Sequence, residues 1–192
     1  MDDFSFTASA LHIHGIEIYS ARFYIQGDIS GPFKRMSDLM NRRDVNYLSV
    51  QGAVVAPLDQ TSQPKRFETP ISVGKSHIHF ASSPETPAAL SKPDEMQRGI
   101  PIGREFYVQK TPYPCYALTD TFVIHGRCYL NEGVTLQSLL DRPDMLFVPI
   151  TEAAIYMVTR PNISWQRNLV IVNKEKIEVI YLTEDVEPKA QA

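Results

Sequence analysis

No run of apolar residues in this chain reaches the roughly 20 that carry a helix across a bilayer, so no membrane-spanning helix is predicted. Cysteine is scarce: Cys115 and Cys128 are the only two, and neither has the CxxC or CxxH companion of a zinc site. A disulfide framework is excluded on the same count, and the expectation is two buried free thiols. Also missing are the glycine loops that cradle phosphate, G-x-G-x-x-G and G-x-x-x-x-G-K, and the G-x-S-x-G nucleophile elbow. Cys115, in YPCY, has no activating base beside it. Charge of one sign is lacking too: a net charge of −3 gives no long-range pull on polyanions. The opening MDDFSFTASA is acidic where a secretory leader is basic and then apolar, which predicts a cytoplasmic setting. What remains is 43% hydrophobic and 21% charged over 192 residues, the balance of an ordinary folded chain.

The informative feature is an internal echo. Shifting the chain by roughly a hundred positions lays ARFYIQG on DTFVIHG, with Phe23 on Phe122, Ile25 on Ile124 and Gly27 on Gly126. Met36, Leu39 and Met40 then fall on Leu136, Leu139 and Leu140, Arg42 on Arg142, Asp44 on Asp144, and Val50 on Ile150. Further on, ISVGKSHIHF lies on VIVNKEKIEV, with Val73 on Val172, Lys75 on Lys174 and Ile78 on Ile177. Order, spacing and chemical class agree across successive elements, so a tandem duplication is predicted. Alternation around Phe23 and Ile25 has the period of a half-buried strand, and the glycine closing it predicts a turn or bulge that a Cβ would obstruct. The i, i+3, i+4 spacing of Met36, Leu39 and Met40 marks one face of a short helix. In the second copy Thr135 is the expected N-cap and Arg142-Pro143 the stop. Each unit therefore reads strand, short helix, strand, strand.

Residues 1–82 are taken as the first unit with one or two N-terminal strands, and 115–183 as the second. Between them, residues 83–114 form a proline-rich crossover, within which REFYVQK from Arg104 could add a strand. Residues 184–192 read as a disordered tail. The fold class expected is α+β and β-rich: two pseudo-equivalent units about a pseudo-twofold, packed as one barrel-like or sandwich body.

The segments RMSDLMN…YLSVQGAVV and TLQSLLD…FVPITEAAI resemble a bacterial domain with an L-S-D-L-L-N…F-x-P-L-T-D-A pattern, and Met36–Asn41 and Phe147–Ala153 carry the match. That resemblance implies no activity, because no chemistry is assigned to the family. A second likeness is to Sm-like barrels, which place an Asp a few residues before an Asn, as Asp38 and Asn41 stand here. The second copy departs from it with Ser138 and Asp141.

Candidate chemistry is thin. Four histidines form two HxH triplets, His12 with His14 and His77 with His79. On a strand each pair would share a face, as metal ligands on β scaffolds do. Alternation with Ile13, Ile78 and Phe80 puts them outward, and Lys176 and Glu178 occupy the corresponding places later, so surface histidines are expected and no metal or other cofactor. Lys34, Arg35, Arg42 and Arg43 bracket the first helix as a basic rim, and Asp44 and Asp144 read as turn formers. The expected function is a non-enzymatic cytoplasmic binding, scaffold or regulatory module engaging a protein or small-molecule partner, with no membrane. The alternative is an Sm-like or small-barrel nucleic-acid binder using the basic rim, and third stands a metal-dependent protein using the HxH pairs.

Overall fold

The computed structural model describes residues 12–59, 63–84 and 110–183. The predicted tail, most of the crossover, and REFYVQK apart from Lys110 lie outside them. In the first half, β1 (His12–Ser20) and β2 (Phe23–Gly31) form a hairpin, followed by α1 (Met36–Met40) and the long β3 (Tyr47–Pro57). Next come β4 (Lys65–Arg66), β5 (Ile71–Gly74), a 3-10 turn at Lys75–His77, and β6 (Ile78–Ser82). The second half runs β7 (Lys110–Leu118), β8 (Phe122–Asn131), α2 (Leu136–Leu140), β9 (Phe147–Met157), β10 (Ser164–Asn173), a 3-10 turn at Lys174–Lys176, and β11 (Val179–Leu182). The described residues are thus β-rich, with two one-turn α-helices and one large antiparallel sheet.

Local chemistry repeats between the halves. The Ser20 hydroxyl accepts from the Phe23 N–H at 3.0 Å to close the β1–β2 turn, and the Thr119 hydroxyl accepts from the Phe122 N–H at 2.8 Å to close β7–β8. Bulges fall at Gly27 between β2 and β3 and at Gly126 between β8 and β9. A Cβ on Gly27 would stand 2.7 Å from the Gln51 carbonyl oxygen, and one on Gly126 2.5 Å from that of Thr151, so both positions require glycine. Thr135 caps α2 as expected: its hydroxyl accepts from the Ser138 N–H while the Ser138 hydroxyl accepts from the Thr135 N–H. Near the far side of each helix, Lys75 Nζ donates to the Arg42 carbonyl at 2.6 Å, and Lys174 Nζ to the Leu140 and Arg142 carbonyls at 2.7 and 3.0 Å.

The sheet order is β11-β7-β8-β9-β10-β6-β1-β2-β3-β4, with β5 also on β3. Pairing of β10 with β6, Val170 opposite Ser82 and Val172 opposite Phe80, joins the halves. The sheet does not close among the described residues: its free edges are the outer side of β11 at one end and those of β4 and β5, both on β3, at the other. Each core draws on both halves. Tyr19, Leu58 and Phe80 pack with Phe122, Ile124, Leu139 and Ile150. Phe147 and Ile171 pack with Ile16, Met36, Leu39 and Val50.

Two expectations need correcting. The second half begins in strand at Lys110, not at 115, despite Pro112 and Pro114. Proline is tolerated there because β11 pairs only with Cys115–Leu118, leaving that side of the earlier residues without a ladder. The expectation that His77 and His79 share an outward strand face also fails. His77 lies in the 3-10 turn, while every residue of β6 is buried, since β1 and β10 flank it in mid-sheet.

Candidate functional site

The seam between the halves holds a groove of about 520 Å³ lined by Arg43, Tyr47, Lys75, Leu146, Phe147 and Glu175 among others. It starts from the end of α1. Asn41 lies there, and its Oδ1 accepts from the Leu146 and Phe147 N–H groups at 2.7 and 2.8 Å, while Nδ2 donates to the Ser37 carbonyl at 3.1 Å. That single side chain fastens the first helix to the start of β9. Arg43 follows and donates to the Pro143 carbonyl, crossing the seam a second time. From the opposite wall, Asn173 Nδ2 donates to the Ile78 carbonyl at 2.9 Å and the Lys75 carbonyl at 3.2 Å, fixing the first 3-10 turn.

Lys75 is the unusual member. It is 6% exposed, its ammonium lies 5.9 Å from the centre of the Phe147 ring, and burial pulls its pKa below the ordinary lysine value against the pull of the Asp44 carboxylate. Corresponding residues of both halves face the groove: Asn46 and Leu146, Tyr47 and Phe147, Ser76 and Glu175. Tyr47 is 68% exposed there, whereas Phe147 is buried. The arrangement offers an exposed phenol, apolar walls from Val45 and Leu146, the Arg43 guanidinium and one carboxylate, which suits a ligand with a flat apolar body and an acidic group.

The basic rim does not act as one patch. Arg42 is paired with Asp44, as Arg142 is with Asp144, and in each pair the hydrogen bond from the guanidinium holds the carboxyl below its usual range. Arg43 is drawn across to Pro143, and Lys34 and Arg35 stand exposed before α1. Only Arg43 of the four lines the groove.

Nor do the histidine pairs converge. His14 Nε2 lies 3.1 Å from the Phe33 carbonyl oxygen and its ring stacks on Phe33, with exposed His12 beside it. His79 is buried, 3.3 Å from the Thr119 hydroxyl and 3.6 Å from Asp120, its ring edge-on to Phe122. The β1–β6 register sets Tyr19 opposite Phe80, so His14 and His79 are separated by some five strand residues, roughly 17 Å. Among the described residues no three His, Cys, Asp or Glu side chains gather as a metal site.

Cys115 and Cys128 are buried and unpaired, as expected. Burial pushes the Cys115 thiol up to about 12 and raises Cys128 as well, leaving neither nucleophilic at neutral pH. Sequence reasoning missed the seam residues Asn41, Lys75 and Asn173 as a group. The sole signal lay in Lys75 recurring as Lys174. The chain matches no protein-family model, no curated protein and no solved structure.

Proposed function

We propose that this chain is a non-enzymatic binding module, a duplicated pair of like units in a sandwich-like body, whose seam groove takes a small partly aromatic acid or an acidic side chain of a protein partner. The observation that carries the reading is the groove itself: about 520 Å³, with corresponding residues of both halves on its walls. A cleft between like units is where a duplicated fold gains a surface that neither unit has alone. Arg43 supplies the positive side, and Tyr47 supplies an exposed ring that is not needed for the core. The groups that could do acid–base or nucleophilic work, Lys75, His79 and the cysteines, are instead buried among structural partners. A cytoplasmic setting accords with this role. The resemblance to a bacterial domain without assigned chemistry adds nothing against it.

The test is an amide chemical-shift titration with benzoate and, in parallel, neutral benzamide. Benzoate shifts gathered at Val45, Tyr47, Ser76, Leu146 and Glu175, and reduced several-fold by Tyr47→Ala, are the expected result. Shifts scattered elsewhere, or equal for benzamide, overturn the reading. The nucleic-acid alternative is weakened because Arg42 is paired with Asp44 and the four basic residues do not form one patch. RNA binding with a steep salt slope, lost on Arg42→Glu with Arg43→Glu, would restore it.

A further inference from the structure

Among the described residues the two halves meet through one strand junction, and its counterpart is left unmade. Register shows this directly. In β6, Tyr19 faces Phe80 and Glu17 faces Ser82, and in β11, Leu118 faces Val179 and Tyr116 faces Tyr181. In β10, Val148 faces Val172 and Ile150 faces Val170, and in β5, Leu48 faces Val73 and Val50 faces Ile71. Strand β11 therefore stands to the second half as β6 does to the first, and β5 stands to the first as β10 does to the second. Strands β6 and β10 pair, while β5 and β11 each keep an open edge among the described residues.

Exposure follows the same division. All of β6 is buried, and Val170, Ile171 and Val172 of β10 are inaccessible. Their counterparts are covered less fully: Val179 is 51% and Tyr181 45% exposed and Ser72 is exposed as well, although Val73 is buried. An open edge is ordinarily guarded by lysine, proline or a bulge. Here β11 reads Val-Ile-Tyr-Leu and β5 reads Ile-Ser-Val-Gly, with no charge or proline in either.

We propose that β11 of one copy of this chain pairs antiparallel with β5 of a second copy, in the register that β6 and β10 already use: Ile71 opposite Tyr181, Ser72 opposite Ile180, Val73 opposite Val179. The contact is head-to-tail, because the internal junction joins different surfaces of the two halves and its repetition does the same. The chain itself identifies the occupant, since the only strand for which the β11 edge has a demonstrated template is the counterpart of β10. A supporting contact comes with it. Asp141 ends α2 where Asn41 ends α1, and its exposed carboxylate takes the place from which Asn41 accepts the Leu146 and Phe147 N–H groups, facing those of Asn46 and Tyr47 in the next copy.

Sedimentation velocity of the full chain over a concentration series reads the contact. Concentration-dependent species larger than the monomer are expected, lost on Val179→Lys with Tyr181→Lys and lost separately on Ser72→Lys, with each variant still melting as a folded chain, since all three sites are exposed and only the stack of Tyr181 on Tyr116 is given up. Mixing the two variants is the decisive step: each keeps one good edge, so together they form a single junction and a heterodimer although neither self-associates. As a second measurement, a Ser72→Cys, Ile180→Cys chain should cross-link between copies on oxidation, its native thiols being buried and unreactive. A monomer at every concentration, association that survives the lysines, or a cross-link formed only within one chain would overturn the proposal. Benzoate binding persisting in the lysine variants keeps this result separate from the fate of the groove.

Discussion

Gly126 shows how little room a single residue can have. Any Cβ there meets the Thr151 carbonyl oxygen at 2.5 Å and the Ile150 side chain at 2.6 Å, and the nearer obstacle is backbone that cannot rotate away. Gly126→Ala is therefore expected to cost about 1–3 kcal/mol in urea denaturation, and a near-neutral value would mean the bulge relaxes. His79 gives a pH-dependent counterpart. Burial holds its imidazole below the usual 6.5, opposed by Asp120 and aided by Lys176. Above pH 6.5 the histidine is neutral folded or unfolded. Below it the unfolded chain takes up a proton that the folded chain resists, so stability is lost as the pH falls from about 6.5 towards the depressed folded value. Thermal melts of the wild type and His79→Gln between about pH 8 and 5 should show a steeper acid loss in the wild type, and parallel curves would remove His79 as the cause.

At the scale of the element, α1 and α2 are each a single turn and cannot be stable alone. They persist because Leu39 and Leu139, both 8% exposed, anchor them in different cores. Leu39→Ala and Leu139→Ala should each destabilise by about 2–4 kcal/mol, whereas shifts within about 0.5 kcal/mol would show that the helices do not cap a core. The helix starts differ. Thr135 and Ser138 form a capping box, while Arg35 begins α1 with no side-chain cap. Thr135→Ala should cost about 1 kcal/mol, and the hydrogen bonds of Asn41 to β9 supply α1 with a tertiary fastening in place of a cap.

For the whole molecule, the seam carries a largely buried ion pair as well as shared cores. Arg167 on β10 donates to Glu17 on β1 at 2.7 Å and to the Tyr19 hydroxyl at 3.0 Å, and Glu17 also accepts from Ser82 and Tyr24. Burial and the Glu17 carboxylate push the phenols of Tyr19 and Tyr24 well above the ordinary tyrosine value, so both stay protonated as donors. Removing one member strands the other: Arg167→Ala should cost about 3–5 kcal/mol. Because Phe80 serves the core of the second half and Phe147 that of the first, melting should be a single transition by near-ultraviolet dichroism and calorimetry alike. Two separable transitions would show that the halves fold independently.

What the sequence determined by itself was local. Alternation around Phe23, Ile25, Phe122 and Ile124 marked strands, the spacing of Leu136, Leu139 and Leu140 marked a helix, Thr135 marked its start, and the two glycines marked bulges. Each of these is settled by neighbours a few positions away, through backbone geometry and one buried face. The tertiary structure alone decided the rest. Alternation told that Ile78 and Phe80 point inward, but not that β1 and β10 would enclose β6 and bury His79 too. Nor could it join Asn41 to Leu146 and Phe147, set Lys75 beneath the Phe147 ring, or pair β6 with β10 while β5 and β11 stay open among the described residues. Those outcomes hang on contacts between residues far apart in the chain, where the competing pairings differ by which strand edge meets which, and no local pattern of apolar and polar residues encodes that choice.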